Sequence, residues 1–331
     1  MVRLGCLSSA LCFHFEILSA NDAYLYSIPP TWGRHAGVAY QGVYAIHCPA
    51  KCKQAIREES DKPITLASLG KSMTSSPPAL HAKMKSQPAF GTFVKLGCRE
   101  VIEIIARAGF DFAICDLEHS QISEQDASHV IVGGIASGLP IIVRLASFDV
   151  GQINRLLEAG AAGIQLPQVQ RREQVATFRN AMKYPPEGSR SISLAQPAAG
   201  YGSESLADYV RRANSEVLLI GQLETHEIEH PLEKLIEGLD VAFIGILDMT
   251  LDMGSPGRFD DPQVVQRQRE IEIAAAAAKV HMGIYADSPV RAAQAVAAGY
   301  RYIALSSDLG ALSSATHSWV QQLRDKSAAK A

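Results

Sequence analysis

The sequence predicts an α/β protein: a closed (β/α)8 TIM barrel behind an irregular N-terminal extension. From Phe90 onward, short apolar runs alternate with helical patterns, which is the signature of βαβ units and a parallel sheet. Eight such runs, each followed by a helix candidate, fill about 240 residues, the size of a (β/α)8 barrel. Neither G-x-G-x-x-G nor G-x-x-x-x-G-K occurs in the chain, so the mark of a doubly wound nucleotide-binding sheet is missing.

The expected strands span 91–96, 112–116, 140–144, 163–166, 217–224, 241–245, 282–285 and 302–306. Each is a mostly apolar run bounded by polar residues, as befits a strand covered on both faces. The helix candidates are 99–109, 123–137, 149–159, 171–182, 226–237, 262–280, 288–298 and a last one from about 311. Ala108-Gly109, Ala159-Gly160 and Ala298-Gly299 read as glycine C-caps that turn a helix back into the next strand.

Residues 1–80 form the expected extension and 81–331 the barrel domain. The extension shows no sustained period and mixes Pro29-Pro30, Trp32-Gly33 and scattered Cys and His, so we expect it to be poorly structured or dispensable, with Met73 as an alternative start. Its apolar opening is interrupted by His14 and Glu16, unlike a secretory signal. His47-Cys48-Pro49-Ala50-Lys51-Cys52 offers half a zinc site without a second ligand pair at the required spacing.

Composition bounds the function. The 331 residues are 47% hydrophobic and 20% charged with net charge −3, enough for one large core and too little positive charge for nucleic acid. No apolar stretch reaches the roughly 18 residues that span a bilayer. The charge balance leaves a small molecule as the expected partner, and the six cysteines form no even framework, which points to a reducing, cytoplasmic setting.

Chemistry in such barrels sits where strands end. The second run ends in Asp116, Glu118 and His119, the third in Arg144, the fifth in Gln222 and Glu224, the sixth just before Asp248, and the eighth before Asp308. Glu224 and Asp248, on adjacent strands, are hard oxygen donors suited to Mg²⁺, Mn²⁺ or Co²⁺, and the ion could chelate a 2-oxo acid. Arg144 would steady the developing oxyanion, and His119 is the natural proton carrier. His226-Glu227-Ile228-Glu229-His230 matches the H-E-x-x-H of zinc peptidases. However, Pro231 follows directly, the motif starts two residues after a strand, and no third ligand is evident.

Together these motifs resemble the HpcH/HpaI aldolase/citrate lyase family, and in particular its class II pyruvate aldolases, over about residues 80–325. The resemblance rests on Asp-x-Glu-His at 116–119, Ile142-Val143-Arg144, Leu166-Pro167-Gln168-Val169-Gln170, Tyr184-Pro185-Pro186-Glu187-Gly188-Ser189-Arg190, Gln222-Leu223-Glu224-Thr225, Phe243-Ile244-Gly245-x-x-Asp248 and Ser307-Asp308. It implies a homo-oligomeric barrel, usually a hexamer, whose last helix is exchanged between subunits. It further implies that Glu224 and Asp248 bind the metal, Arg144 stabilises a pyruvate enolate, and His119 acts as base. An acid at Glu158, in the Leu-Leu-Asp position of the family, would be coupled to His119. Gln222, Leu247 and Asp248 would meet the substrate, while Asp116 and Glu118 would orient metal-bound water. Two departures stand out: Gly245-Ile246-Leu247-Asp248 replaces Gly-Pro-Ala-Asp, and Leu117 replaces a frequent glycine.

The expected activity is a metal-dependent carbon–carbon lyase that cleaves or condenses 4-hydroxy-2-oxo acids through a pyruvate enolate. The alternatives are oxaloacetate decarboxylation or a citrate-forming condensation on the same scaffold, and a non-catalytic barrel.

Overall fold

The computed structural model describes residues 80–328 and, nearer the N-terminus, the strands β1 (Leu18–Ala20), β2 (Ala23–Tyr26) and β3 (Tyr44–Ile46). The chain divides into two units, Met1–Lys71 and Ser72–Ala331. In the first, β1, β2 and β3 pair antiparallel in that order. The zinc half-motif at 47–52 lies outside the described residues.

The second unit is the expected closed barrel. Strands β4 (Ala89–Val94), β5 (Phe112–Asp116), β6 (Ile141–Arg144), β7 (Gly163–Leu166), β8 (Leu218–Leu223), β9 (Val241–Ile244), β10 (His281–Ala286) and β11 (Tyr302–Ser307) pair in sequence, and β11 returns to β4 to close the ring. All of these barrel pairings are parallel.

Side chains alternate strictly between two cores, as the period of two in a strand requires. Phe93, Phe112, Ile114, Ile142, Ile220 and Phe243 fill the interior. Val94, Ala113, Cys115, Val143, Leu219 and Ile244 face outward into the layer of covering helices. Phe112 stacks on Tyr302 at 4.3 Å between ring centroids, and Phe243 meets Tyr302 edge-on. The first helix, α1 (Leu80–Ser86), places Leu80 and Met84 against this interior cluster and closes the N-terminal end of the barrel.

Helices α2 (Arg99–Arg107), α3 (Glu124–Ser137), α4 (Val150–Ala159) and α5 (Arg172–Met182) lie where the periodicity places them. Ser123 caps α3 in a full capping box, and Asp149 caps α4. Gly109, Gly160 and Gly299 adopt the left-handed φ that their C-terminal positions require.

Three elements differ from expectation. The stretch 226–237 holds only one helical turn, α7 (Leu232–Leu235), because Pro231 sets a new start. An additional helix, α6 (Leu206–Glu216), lies between β7 and β8, with Ser205 as its N-cap. A short α8 (Ile246–Asp252) begins directly after β9. Helices α9 (Pro262–Ala278) and α10 (Pro289–Ala297) complete the wall.

The last helix, α11 (Asp308–Ala328), buries none of its described residues. Trp319 is 62% exposed and Leu323 66% exposed. No helix among the described residues is long and apolar enough to cross a membrane.

Candidate active site

The alternation that fills the barrel also dictates the site. Two residues beyond inward-facing Phe93, Ile114, Ile142 and Ile220 come Lys95, Asp116, Arg144 and Gln222. Arg144 is the register partner of Asp116 on one side and of Gln165 on the other. A layer of polar side chains thus caps the apolar interior at the C-terminal ends of the strands.

Asp116 is the hub of this layer and is fully buried. Its Oδ1 accepts hydrogen bonds from Arg144 Nε at 2.9 Å and from the backbone N–H groups of Glu118 and His119 at 3.2 Å each. Its Oδ2 accepts from Arg144 Nη2 at 2.8 Å and from Lys95 Nζ at 2.7 Å. Burial alone would raise this carboxyl, but the hydrogen bonds and charges of Arg144 and Lys95 outweigh it and bring it down to about 2. Asp116 therefore stays ionised and serves as an anchor. The Arg144 guanidinium rests over the Phe93 ring at 4.7 Å, and its Nη1 lies 3.3 Å from Glu118 Oε2. This fork is fixed in place without spending all of its donors.

His119 Nε2 stands 3.8 Å from Glu118 Oε2, and the imidazole is 55% exposed at the mouth of the barrel. Glu118 Oε2 is buried without a hydrogen-bond partner. Burial pushes the Glu118 carboxyl up, with Asp116 and Asp248 adding to the rise and Arg144 and Lys95 opposing it.

On the other side of the mouth, Glu224 is 4% exposed. Its Oε1 accepts the Gln168 N–H at 2.8 Å, from a residue held at a left-handed φ of 52°. Its Oε2 accepts from Gln222 Nε2, and Gln222 Oε1 in turn accepts from Gln165 Nε2 at 2.6 Å. The carboxylate thus fixes the orientation of both amides in the relay. Gly245 leaves room for Glu224, since a Cβ there would run into the carboxylate and lie 2.7 Å from the Glu224 Cβ. Burial raises the Glu224 carboxyl against these hydrogen bonds, and the charges of Asp248 and Glu118 raise it further.

Glu118, Glu224 and Asp248 therefore repel one another, and Glu118 has an orphaned buried oxygen. Such a set fits a divalent cation, which would relieve the repulsion. Among the described residues no three His, Cys, Asp or Glu side chains converge as a complete ligand set. An ion here would take two carboxylates and leave its remaining positions to water and substrate, the habit of Mg²⁺-like ions.

Leu247 and Asp248 lie in the first turn of α8, where backbone bonding begins with Met249 N donating to Gly245 O at 3.0 Å. The preceding N–H groups have no helical carbonyl to donate to. Glu158 lies at the far end of α4 with Asn154 Nδ2 at 3.4 Å. Because α4 runs back toward the N-terminal end of the barrel, one chain does not bring Glu158 to His119.

The 226–230 motif is not helical, so its two histidines do not share a helix face. Glu229 pairs with Arg172, and Arg267 Nη1 donates to His226 O at 2.8 Å, so the segment is a loop held by one ion pair and a guanidinium–carbonyl hydrogen bond. Sequence reasoning missed Lys95, Gln165 and Gln168. The first two carry a signal, namely the inward phase that β4 hands on to Lys95 one residue past its end and the inward phase of Gln165 on β7. Gln168 carries none, because it acts through its backbone.

Comparisons with known proteins agree with this geometry. Residues 89–315 match the HpcH/HpaI aldolase/citrate lyase family. A hydroxypyruvate/pyruvate aldolase of Paraburkholderia phytofirmans is 31% identical over 254 residues, covering 74% of this chain and 97% of that protein. An HpcH/HpaI aldolase/citrate lyase family protein from Burkholderia cenocepacia J2315 superposes with a TM-score of 0.69 at 28% identity, covering 74% of this chain and 98% of the other. The citrate synthase SbnG superposes with a TM-score of 0.68 at 25% identity, covering 75% and 98%.

Proposed function

Starting from the fact that the chain belongs to the HpcH/HpaI aldolase/citrate lyase family and is a carbon–carbon lyase, we propose that it is a divalent-metal-dependent aldolase. It cleaves a 4-hydroxy-2-oxo acid into pyruvate, or a close 2-oxo acid, and an aldehyde, and it runs the condensation in reverse. The observation that carries this reading is the pairing at one barrel mouth of a mutually repelling carboxylate group with an Arg144 fork held by ionised Asp116.

Glu224 and Asp248 would hold the cation, which when bound supplies Lewis-acid stabilisation of negative charge on the keto oxygen. Arg144, prevented from moving by Asp116 and Phe93, presents a fixed positive charge to the same developing oxyanion. Unpaired N–H groups in the first turn of α8, at Leu247 and Asp248, receive the substrate carboxylate, and Gln222 borders the same space. In cleavage, an imidazole nitrogen of His119 takes the C4 hydroxyl proton, the C3–C4 bond breaks, and its electron pair passes into the enolate. The protonated His119 then gives a proton to C3, which yields the 2-oxo acid and regenerates the neutral imidazole. Glu118, whose Oε2 has no hydrogen-bond partner, would orient the water that completes the site. Asp116, expected in the same role, is fully buried with both oxygens taken by Arg144, Lys95 and backbone N–H groups, and acts through them.

The subunit is incomplete in two respects. Glu158 would couple to His119 from a second copy, and both Phe90 on the barrel wall, 37% exposed, and the apolar residues of α11 are left open to solvent. We read this as a homo-oligomer that exchanges α11 between subunits, with a hexamer as the expected assembly. Cys98 and Cys115 are free thiols, in keeping with a cytoplasmic setting.

The test is product analysis with Mn²⁺ or Mg²⁺. Aldehyde-dependent consumption of pyruvate supports the aldolase. Turnover of oxaloacetate alone, without aldehyde-dependent consumption, refutes it. A second reading, condensation onto a 2-oxo acid as in a citrate synthase, is favoured by the likeness to SbnG and by Ile246-Leu247 in the loop. Citrate formation would select it.

A further inference from the structure

We propose that Lys95 is a positioning residue that sets the place of His119, and that it ties the root of the C-terminal helix to the catalytic turn. The inference rests on the reading of His119 as the proton carrier and adds a residue to that machinery.

The His119 side chain is more than half exposed, and its one charged neighbour, Glu118, is 3.8 Å away. Side-chain packing therefore does little to place the imidazole, and its position follows from the backbone turn 116–119. The Leu117 N–H donates to Arg144 O at 2.9 Å and Ser120 Oγ donates to Asp116 O at the start of that turn, and two side chains fasten the rest of it. Asp116 Oδ1 accepts the N–H groups of Glu118 and His119 at 3.2 Å. Lys95 Nζ donates to Asp116 Oδ2 at 2.7 Å and to the carbonyl oxygen of His119 at 2.9 Å, so one ammonium links the first and last residues of the turn.

Neutralising Asp116 does not by itself require Lys95, since Arg144 already forms a two-pronged pair with the carboxylate. What Lys95 alone contributes is the hold on the His119 carbonyl. Lys95 is itself anchored, because its backbone N–H donates to Asp308 at 2.9 Å and the Leu96 N–H donates to the same carboxylate at 2.9 Å. Asp308 is the first residue of α11. A continuous path of hydrogen bonds thus runs from the start of the outward-facing helix, through Asp308 and Lys95, to the residue that moves the proton.

The experiment measures exchange of the pyruvate C3 protons with solvent deuterium, with Mn²⁺ present, in the wild type, Lys95→Met, Lys95→Arg, and Lys95→Ala with and without ethylammonium. The expected result for Lys95→Met is a fall in kcat of about 10- to 100-fold, with KM for pyruvate within about twofold, as for a misplaced catalytic group in an intact binding site. Lys95→Arg should recover part of the rate, and ethylammonium should raise the rate of Lys95→Ala without affecting the wild type. Amide hydrogen exchange over residues 117–120 should quicken in Lys95→Met, a readout independent of activity. Should Lys95→Met fail to fold, Lys95→Gln keeps a neutral donor and takes its place. A Lys95→Met rate within about twofold of wild type overturns the proposal, as does a loss confined to KM or one that neither arginine nor ethylammonium relieves. If the wild type itself exchanges no deuterium, the reading of His119 fails and the proposal with it. If the wild type exchanges and Lys95→Met matches it, the proposal alone fails.

Discussion

Replacing Asp116 by Asn tests the electrostatic design of the barrel mouth, because the change keeps the shape and removes the charge. The Asp116 carboxylate meets three N–H donors at Oδ1 and two at Oδ2. Whichever way an amide turns, its NH₂ faces at least two of those donors. The carboxyl's fall from 3.8 to about 2 corresponds to about 2.4 kcal/mol of stability, at roughly 1.36 kcal/mol per tenfold. Removing one partner of a buried ion pair typically costs about 3–5 kcal/mol, so we expect a loss of about 3 kcal/mol at pH 7. The folded-state value is the lower one, so the contribution is complete above about pH 5 and fades as the pH falls through about 2. The gap between wild type and Asp116→Asn should therefore be about 1 kcal/mol smaller at pH 3 than at pH 6. Reversible urea unfolding followed by circular dichroism measures both quantities. A loss below about 1 kcal/mol at pH 7, or a gap that stays constant with pH, would refute the reasoning.

Three further outcomes are expected. Gly245→Ala pushes the buried Glu224 aside and should weaken Mn²⁺ binding by about tenfold or more in calorimetry, while the clash with the Glu224 Cβ costs about 1–3 kcal/mol in urea unfolding. Trp319→Asp with Leu323→Asp places charges on the exposed apolar face of α11 and should shift the sedimentation profile toward smaller species, with loss of activity. A chain that starts at Met73, just beyond the boundary between the two units, should remain soluble and keep its turnover rate within about twofold.

The barrel was legible because two periods that seldom mislead, the apolar run and the amphipathic helix, repeat eight times. Helix α6 was not, because its polar composition follows an irregular stretch, broken only by a 3-10 turn at Pro197–Gly202, with no strand signal to frame it. At the site, Asp116, Arg144, Gln222 and Glu224 could be read as charged or polar residues at the ends of buried runs, and the barrel brings them to one mouth. Lys95 was hidden by its type, since a lysine closing an apolar strand reads as an exposed end. Only the inward phase set by Phe93 reveals it. Gln168 acts through its N–H alone. Glu158 shows the limit of a single chain, because it stands at the far end of α4 beside Asn154 and its proposed pairing with His119 calls for a second copy.

The most direct measurement of the central claim is proton NMR of pyruvate in D₂O with the full-length protein and Mg²⁺, Mn²⁺ or Co²⁺ in turn. Loss of the methyl signal is expected with at least one ion, abolished by a chelator and strongly reduced in Glu224→Gln and His119→Ala. A methyl signal that persists with all three ions, or exchange that survives Glu224→Gln unchanged, would contradict that claim.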